Sequence, residues 1–196
     1  MEAYYYTNHA AGFLIMLITA AWGMMELSQR SQPPREGAAE IDGTGFRIAL
    51  LACLAASAAV VNLAPRAVPG ATIRAGAVSC AAGLVILLGG VVLRGWSFKS
   101  LGSYFTHTVM VSSDQPVIAT GPYRLLRHPS YTGLLLMAAG TGLASANWAG
   151  LAGVLVLTLT PLLWRIRVEE SALMATVGDR YRAYAAQHRR LIPLVW

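Results

Sequence analysis

The sequence predicts an all-α polytopic membrane protein with five transmembrane helices, a C-terminal helical hairpin and a cytoplasmic tail helix. Three observations carry that prediction. Of 196 residues, 56% are apolar and 12% charged, where a soluble domain carries about 25% charged residues. The apolar residues fall in uninterrupted blocks of a length that crosses hydrocarbon at about 1.5 Å of rise per residue. The basic residues gather on alternate connections between those blocks.

The first span covers residues 6–27. Tyr4, Tyr5 and Tyr6 form an aromatic belt at one end, and Glu26 falls near the opposite interface. Residues 28–47 are a polar, Pro/Gly-rich loop. The second span, residues 46–63, is rich in alanine; a short turn with two prolines leads to the third, residues 73–93. Gly83, Gly89 and Gly90 allow close helix approach there. A long polar connection follows, interfacial and amphipathic over residues 94–107 and loop or short extended chain over 111–120. Residues 131–146 and 148–164 are two short apolar segments separated by Asn147, which makes them a helical hairpin. The tail from Arg165 is polar and helical, and Pro193 ends it. Met16, Met24, Met25 and Met137 read as core filling. The whole is one integral membrane domain, 1–196, in which residues 1–93 supply three spans and residues 94–196 the polar motifs.

Orientation follows from counting. With five spans, the 28–47 loop, the 94–130 connection and the tail share one side and carry 13 of the 15 basic residues; the other side holds Arg66 and Arg74. The bias puts the N-terminus outside and the C-terminus in the cytosol of a cell membrane. The net charge of +6 thus reflects cytoplasmic loops. No aromatic–basic interleaving marks a nucleic-acid surface. Cys53 and Cys80 lie inside apolar blocks and read as small core residues, so neither a disulfide nor a metal centre is expected. The N-terminus lacks the cationic start of a signal peptide. No Gly-x-Gly-x-x-Gly follows a strand, which excludes a Rossmann nucleotide site.

The most concentrated polar stretch is residues 121–133, with two arginines, one histidine, two tyrosines and two prolines. Pro129 suits the first turn of a helix, and His128 before it is pushed out of helical geometry. A helix starting at Pro129 turns unpaired N–H groups and its positive dipole end toward Tyr123, Arg127 and His128, a setting for a carboxylate or phosphate. A basic juxtamembrane loop is the blander reading. Arg165 and Glu169, four apart, share a helix face, and a charge directly behind an apolar run is costly and tends to be functional. A surface ion pair is the alternative there. Residues 102–107, 123–131 and 165–170 converge on the cytoplasmic face.

From Gly102 to the C-terminus the chain resembles the isoprenylcysteine carboxyl methyltransferase family, membrane enzymes that use S-adenosylmethionine. The matching pieces are Gly102-Ser103-x-Phe105-x-His107, Thr120-Gly121-x-Tyr123-x-x-x-Arg127-His128-Pro129-Ser130-Tyr131-x-Gly133, Arg165-x-x-x-Glu169-Glu170, Gly178-x-x-Tyr181-x-x-Tyr184 and Pro193. The resemblance implies that Tyr123, Arg127, His128, Pro129, Ser130, Tyr131 and Glu169 hold S-adenosylmethionine. It implies that Gln115, Pro116, Val117 and Ile118 line it mostly through backbone. Arg165 would orient the methyl acceptor, and Arg165 with Glu169 would form the catalytic pair. The chain departs from the family in the side chains of residues 115–118, in a shorter loop after His107 and at Met110, where eukaryotic members carry a polar residue.

The residue chemistry is consistent with a methyltransferase acting on a lipophilic or lipidated acceptor from the bilayer, be it a carboxylate, such as that of an isoprenylcysteine, a thiol or an amine. In-line methyl transfer needs alignment and exclusion of water more than acid–base help. Two other readings stay open: a sterol-reductase-like membrane oxidoreductase using NADPH, and a non-catalytic membrane scaffold. Glu170 is expected to face another direction than Arg165 and Glu169, and His9 and His188 to be interfacial and solvated.

Overall fold

The computed structural model describes residues 4, 8–30, 39–42, 44–104, 109–111 and 116–192. In chain order these form helix α1 (His9–Arg30), strand β1 (Ala39–Asp42), α2 (Thr44–Ala67), a 3-10 turn (Pro69–Ala71), α3 (Gly76–Leu101), a second 3-10 turn (Gly102–Tyr104), β2 (Val109–Val111), a third (Gly121–Arg124), α4 (Pro129–Ala144), α5 (Trp148–Thr176) and α6 (Asp179–Gln187). The sequence-based expectations for Tyr5, Tyr6, Phe105, His107, Gln115 and Pro193 lie outside the described residues.

The architecture is helical apart from one antiparallel ribbon, β1 with β2, in which Ala39 faces Val111 and Glu40 faces Met110. The ribbon joins the connection before α2 to the connection after α3. Among the described residues α1, α3 and α5 are long and apolar enough to cross a membrane, and α2 adds the shorter apolar stretch Ala52–Ala67. The fourth apolar segment, α4, has 16 residues.

Packing inside an apolar solvent cannot draw on the hydrophobic effect, so it relies on close backbone approach. That is what joins α3 to α4. A methyl group on Gly83 would stand 2.5 Å from the Gly140 carbonyl oxygen, and one on Gly90 would stand 2.7 Å from that of Gly133. The two glycines on each helix are seven apart and pair in antiparallel order. Gly89, expected to act with them, faces open space. Ser79 Oγ adds a hydrogen bond to the Leu143 carbonyl at 2.7 Å. On the other flank α2 packs on α5, where Gly153 admits Val60, and α1 packs on α3.

The hairpin between α4 and α5 is closed by Asn147. Its Oδ1 accepts from the Gly150 N–H at 3.0 Å as a helix cap. Its Nδ2 donates to the Val68 carbonyl at 3.1 Å, tying in the turn after α2. Ala146 holds a φ of 56° to make that corner, a conformation that costs a non-glycine residue about 1 kcal/mol or more.

Two helices run further than the apolar pattern implied. The third span does not give way to an interfacial segment at Arg94: α3 continues to Leu101, and Arg94, Ser97 and Phe98 are buried. The fifth does not end at Trp164: α5 continues through Pro161 and Arg165 to Thr176. Pro161 removes one backbone N–H without stopping the helix, as neighbouring groups in membrane helices allow. Both extensions follow from the same cause. The charges at positions 94 and 165 find partners inside the protein, so the helix does not have to release them to water. Glu26, expected at an interface, is one of those partners and is mostly buried.

Candidate active site

The motif at residues 121–133 folds as a turn that feeds α4. Gly121 has a φ of 57°, and a side chain there would collide with Ser100 and Trp96 at the end of α3. Glycine therefore fits both the backbone and the packing. His128 takes the non-helical N-cap position and Pro129 opens α4, as the sequence predicts.

Tyr131, one turn into α4, meets α5. Its phenol donates to Glu169 Oε2 at 2.7 Å and accepts from Arg165 Nε at 3.4 Å. Arg165 and Glu169 do share a helix face, and what they share it with is Tyr131. Arg165 is 3% exposed, while Tyr131 and Glu169 are half-buried, so the trio is a partly enclosed arrangement. The His128 ring stacks on Tyr131, 5.5 Å between centroids and 9° from parallel.

Directly behind the trio stands Glu170, which faces another direction than Glu169, as the sequence reading expects. It is 4% exposed and gathers three basic side chains. Arg127 Nη1 reaches Oε1 at 2.8 Å, His128 Nε2 reaches the same oxygen at 3.2 Å, and Arg190 Nε donates to Oε2 at 2.9 Å. The physical reason is helix geometry. Adjacent residues project about 100° apart, so Glu169 meets Tyr131 while Glu170 meets the turn before α4 and the tail. The Arg127 guanidinium and a ring nitrogen of His128 are thus both directed at Glu170.

The tail then laces the motif from outside. Backbone N–H groups of Arg127 and His128 donate to the carbonyls of Arg189 (2.7 Å) and Arg190 (3.0 Å), and Thr132 Oγ1 donates to the Leu191 carbonyl at 2.7 Å. The Tyr184 phenol donates to the Tyr123 carbonyl at 2.8 Å and the Leu126 carbonyl at 3.2 Å. Burial pushes the Tyr184 phenol up to about 12, so it stays a donor at neutral pH. Tyr123 is also buried, and desolvation together with the nearby Glu169 carboxylate holds its phenol well above the usual range. His188 is not simply solvated: its ring stacks on Tyr184, 4.1 Å between centroids.

The remaining expected residues lie around this core. Val117 packs on the cluster of Ala172, Val177, Tyr181 and Tyr184; Ile118 is half-buried and Pro116 exposed. Ser130 is buried, its hydroxyl accepting from Arg94 Nη1 at 2.6 Å. Sequence reasoning missed Glu170, Arg190 and Arg94. A pair of adjacent carboxylates on a helix that leaves an apolar block was the available signal.

The arrangement offers a carboxylate and a guanidinium, each within hydrogen-bond reach of one phenol, beside the start of a helix. Those groups can hold a molecule that carries both signs of charge. A family model described as the isoprenylcysteine carboxyl methyltransferase (ICMT) family matches residues 82–175. The chain is 32% identical over 120 residues to a probable protein-S-isoprenylcysteine O-methyltransferase of Oryza sativa subsp. indica, covering 58% of this chain and 60% of the relative. It is 32% identical over 115 residues to a protein-S-isoprenylcysteine O-methyltransferase of Tribolium castaneum, covering 58% of this chain and 41% of the relative. The chain therefore spans less than two thirds of these relatives' length. The solved structure of a eukaryotic intramembrane Ras methyltransferase, ICMT, superposes with a TM-score of 0.60 at 26% identity, over 79% of this chain and 55% of the other. Through residues 82–175, the segment that carries α4, Arg165 and both carboxylates, the chain is similar to the isoprenylcysteine carboxyl methyltransferase family.

Proposed function

We propose that this protein is an integral membrane methyltransferase that moves a methyl group from S-adenosylmethionine to a lipophilic acceptor, the carboxylate of an isoprenylcysteine or a similar lipid-like group. The observation that supports it most is the Tyr131 phenol held between Glu169 and Arg165 at the head of α4. The donor's ammonium and ribose hydroxyls call for a carboxylate, which Glu169 supplies; the N–H groups of Tyr131 and Thr132, expected to be unpaired, donate to the His128 carbonyl instead. The residues thus fit the donor, which when bound brings an electrophilic methyl on a cationic sulfur.

Each residue has one task in this reading. Glu169 and Tyr131 orient the donor, with Tyr123 and residues 116–118 around it. Arg165 pairs with an anionic acceptor, and a planar guanidinium suits a carboxylate in two-point contact. Glu170, Arg127 and His128 fix the turn that carries Tyr131. A nucleophile that is already a carboxylate needs no base, so alignment and exclusion of water do the work. The chain crosses the membrane five times with its N-terminus outside and its site cytoplasmic. The β1–β2 ribbon supports this, because it unites the two connections that the charge count assigns to one side.

Calorimetric titration of the purified protein in nanodiscs tests the proposal. S-adenosylhomocysteine is expected to bind saturably and NADPH not; the reverse would mark an oxidoreductase. A labelled methyl donor offered with a farnesylated cysteine, a prenylated thiol and a lipid amine identifies the acceptor class, and labelling of the carboxylate is the expected result.

A further inference from the structure

Arg94 and Glu26 are two charges that no step above uses. Arg94 lies near the end of the third apolar block, is 6% exposed and pairs through Nε with Glu26 on α1. Trp22, one turn earlier on α1, donates its indole N–H to the same Glu26 oxygen at 2.8 Å. The Arg94 guanidinium lies 4.7 Å from the centre of the Phe98 ring. Its Nη1 then points at the first turn of α4, donating to Ser130 Oγ at 2.6 Å and to the Ser130 carbonyl at 3.2 Å. Ser130 immediately precedes Tyr131.

We propose that Glu26 and Arg94 are positioning residues, a clamp by which the first span sets the azimuth of the α4 head and hence the placing of Tyr131 against Glu169 and Arg165. This rests on the methyltransferase reading of the site. An ion pair at this depth is expensive, and packing α1 on α3 could be done with apolar side chains at no such cost. A guanidinium is needed because it must serve a carboxylate and the α4 head at once, from different edges of one rigid plane. The clamp also explains what α1, which lies outside the matched family segment, contributes to a site built from α4 and α5.

The test uses Glu26→Gln, Arg94→Lys and the double variant in the full chain, with 3-fluorotyrosine at position 131. Each single variant is expected to weaken S-adenosylhomocysteine binding by the folded protein about tenfold, the scale of a misplaced charged hydrogen bond. The double variant should lose little more, because both act through one contact. The fluorine resonance of residue 131 should shift in both single variants without any ligand. Reduced melting temperature with unchanged affinity and an unchanged fluorine signal would make the pair structural and overturn the proposal. If the unsubstituted protein bound no S-adenosylhomocysteine, the methyltransferase reading would fail, while the fluorine signal would still decide whether the clamp positions Tyr131.

Discussion

Helices α1 and α4 are both apolar, yet they relate to the protein in opposite ways. On α1, Phe13, Leu14, Met16, Leu17, Met24 and Leu27 are turned away from the rest of the chain, and Ala11 is its buried apolar residue among those described. On α4, nine of the sixteen residues are buried. The two methionines make the contrast plain: Met24 is 67% exposed and Met137 is 6% exposed, although both read as core filling from sequence. Hydropathy reports that a helix is in the membrane and says nothing about which helices are enclosed. Small residues report that. Gly133 and Gly140 stand where α4 meets α3 backbone to backbone.

The contrast can be broken, and the largest effect should come at the enclosed end. Glu170→Ala leaves Arg127 and His128 buried around no anion. It should destabilise the protein by about 3 kcal/mol or more, read as early thermal unfolding in detergent; a melting temperature near that of the unsubstituted protein would show the cluster to be dispensable. Next, Arg165→Ala should lower turnover about a hundredfold while donor affinity is largely kept, measured by single-turnover methyl transfer against calorimetry. Equal loss of donor binding would erase the division between Arg165 and Glu169. Gly140→Leu should cost about 1 to 3 kcal/mol by forcing α3 and α4 apart, seen in chemical denaturation from mild detergent. Smallest of all, Leu14→Ala on α1 should change stability by less than about 0.5 kcal/mol in the same assay.

Local signals in the sequence carried much of the site. Pro129 after His128 announces a helix start whatever surrounds it, and four-residue spacing puts Arg165 and Glu169 on one face. The hairpin at Asn147 was equally visible. What the chain order could not supply is the choice of partner over distance. Arg94 and Glu26 are 68 residues apart, and Glu170 and Arg190 are 20 apart. Whether a charge beside an apolar block faces water or a buried partner depends on that long-range choice. Hence both helix extensions were misjudged in the same way, each cut at the charged residue that the fold in fact buries.

The measurement that tests the central claim most directly is a paired calorimetric titration of S-adenosylhomocysteine into the protein and its Glu169→Ala variant, with Tyr131→Phe alongside. The account predicts saturable binding to the unsubstituted protein and about tenfold weaker binding to both variants, with folding intact. Affinity that is indifferent to both substitutions would contradict it.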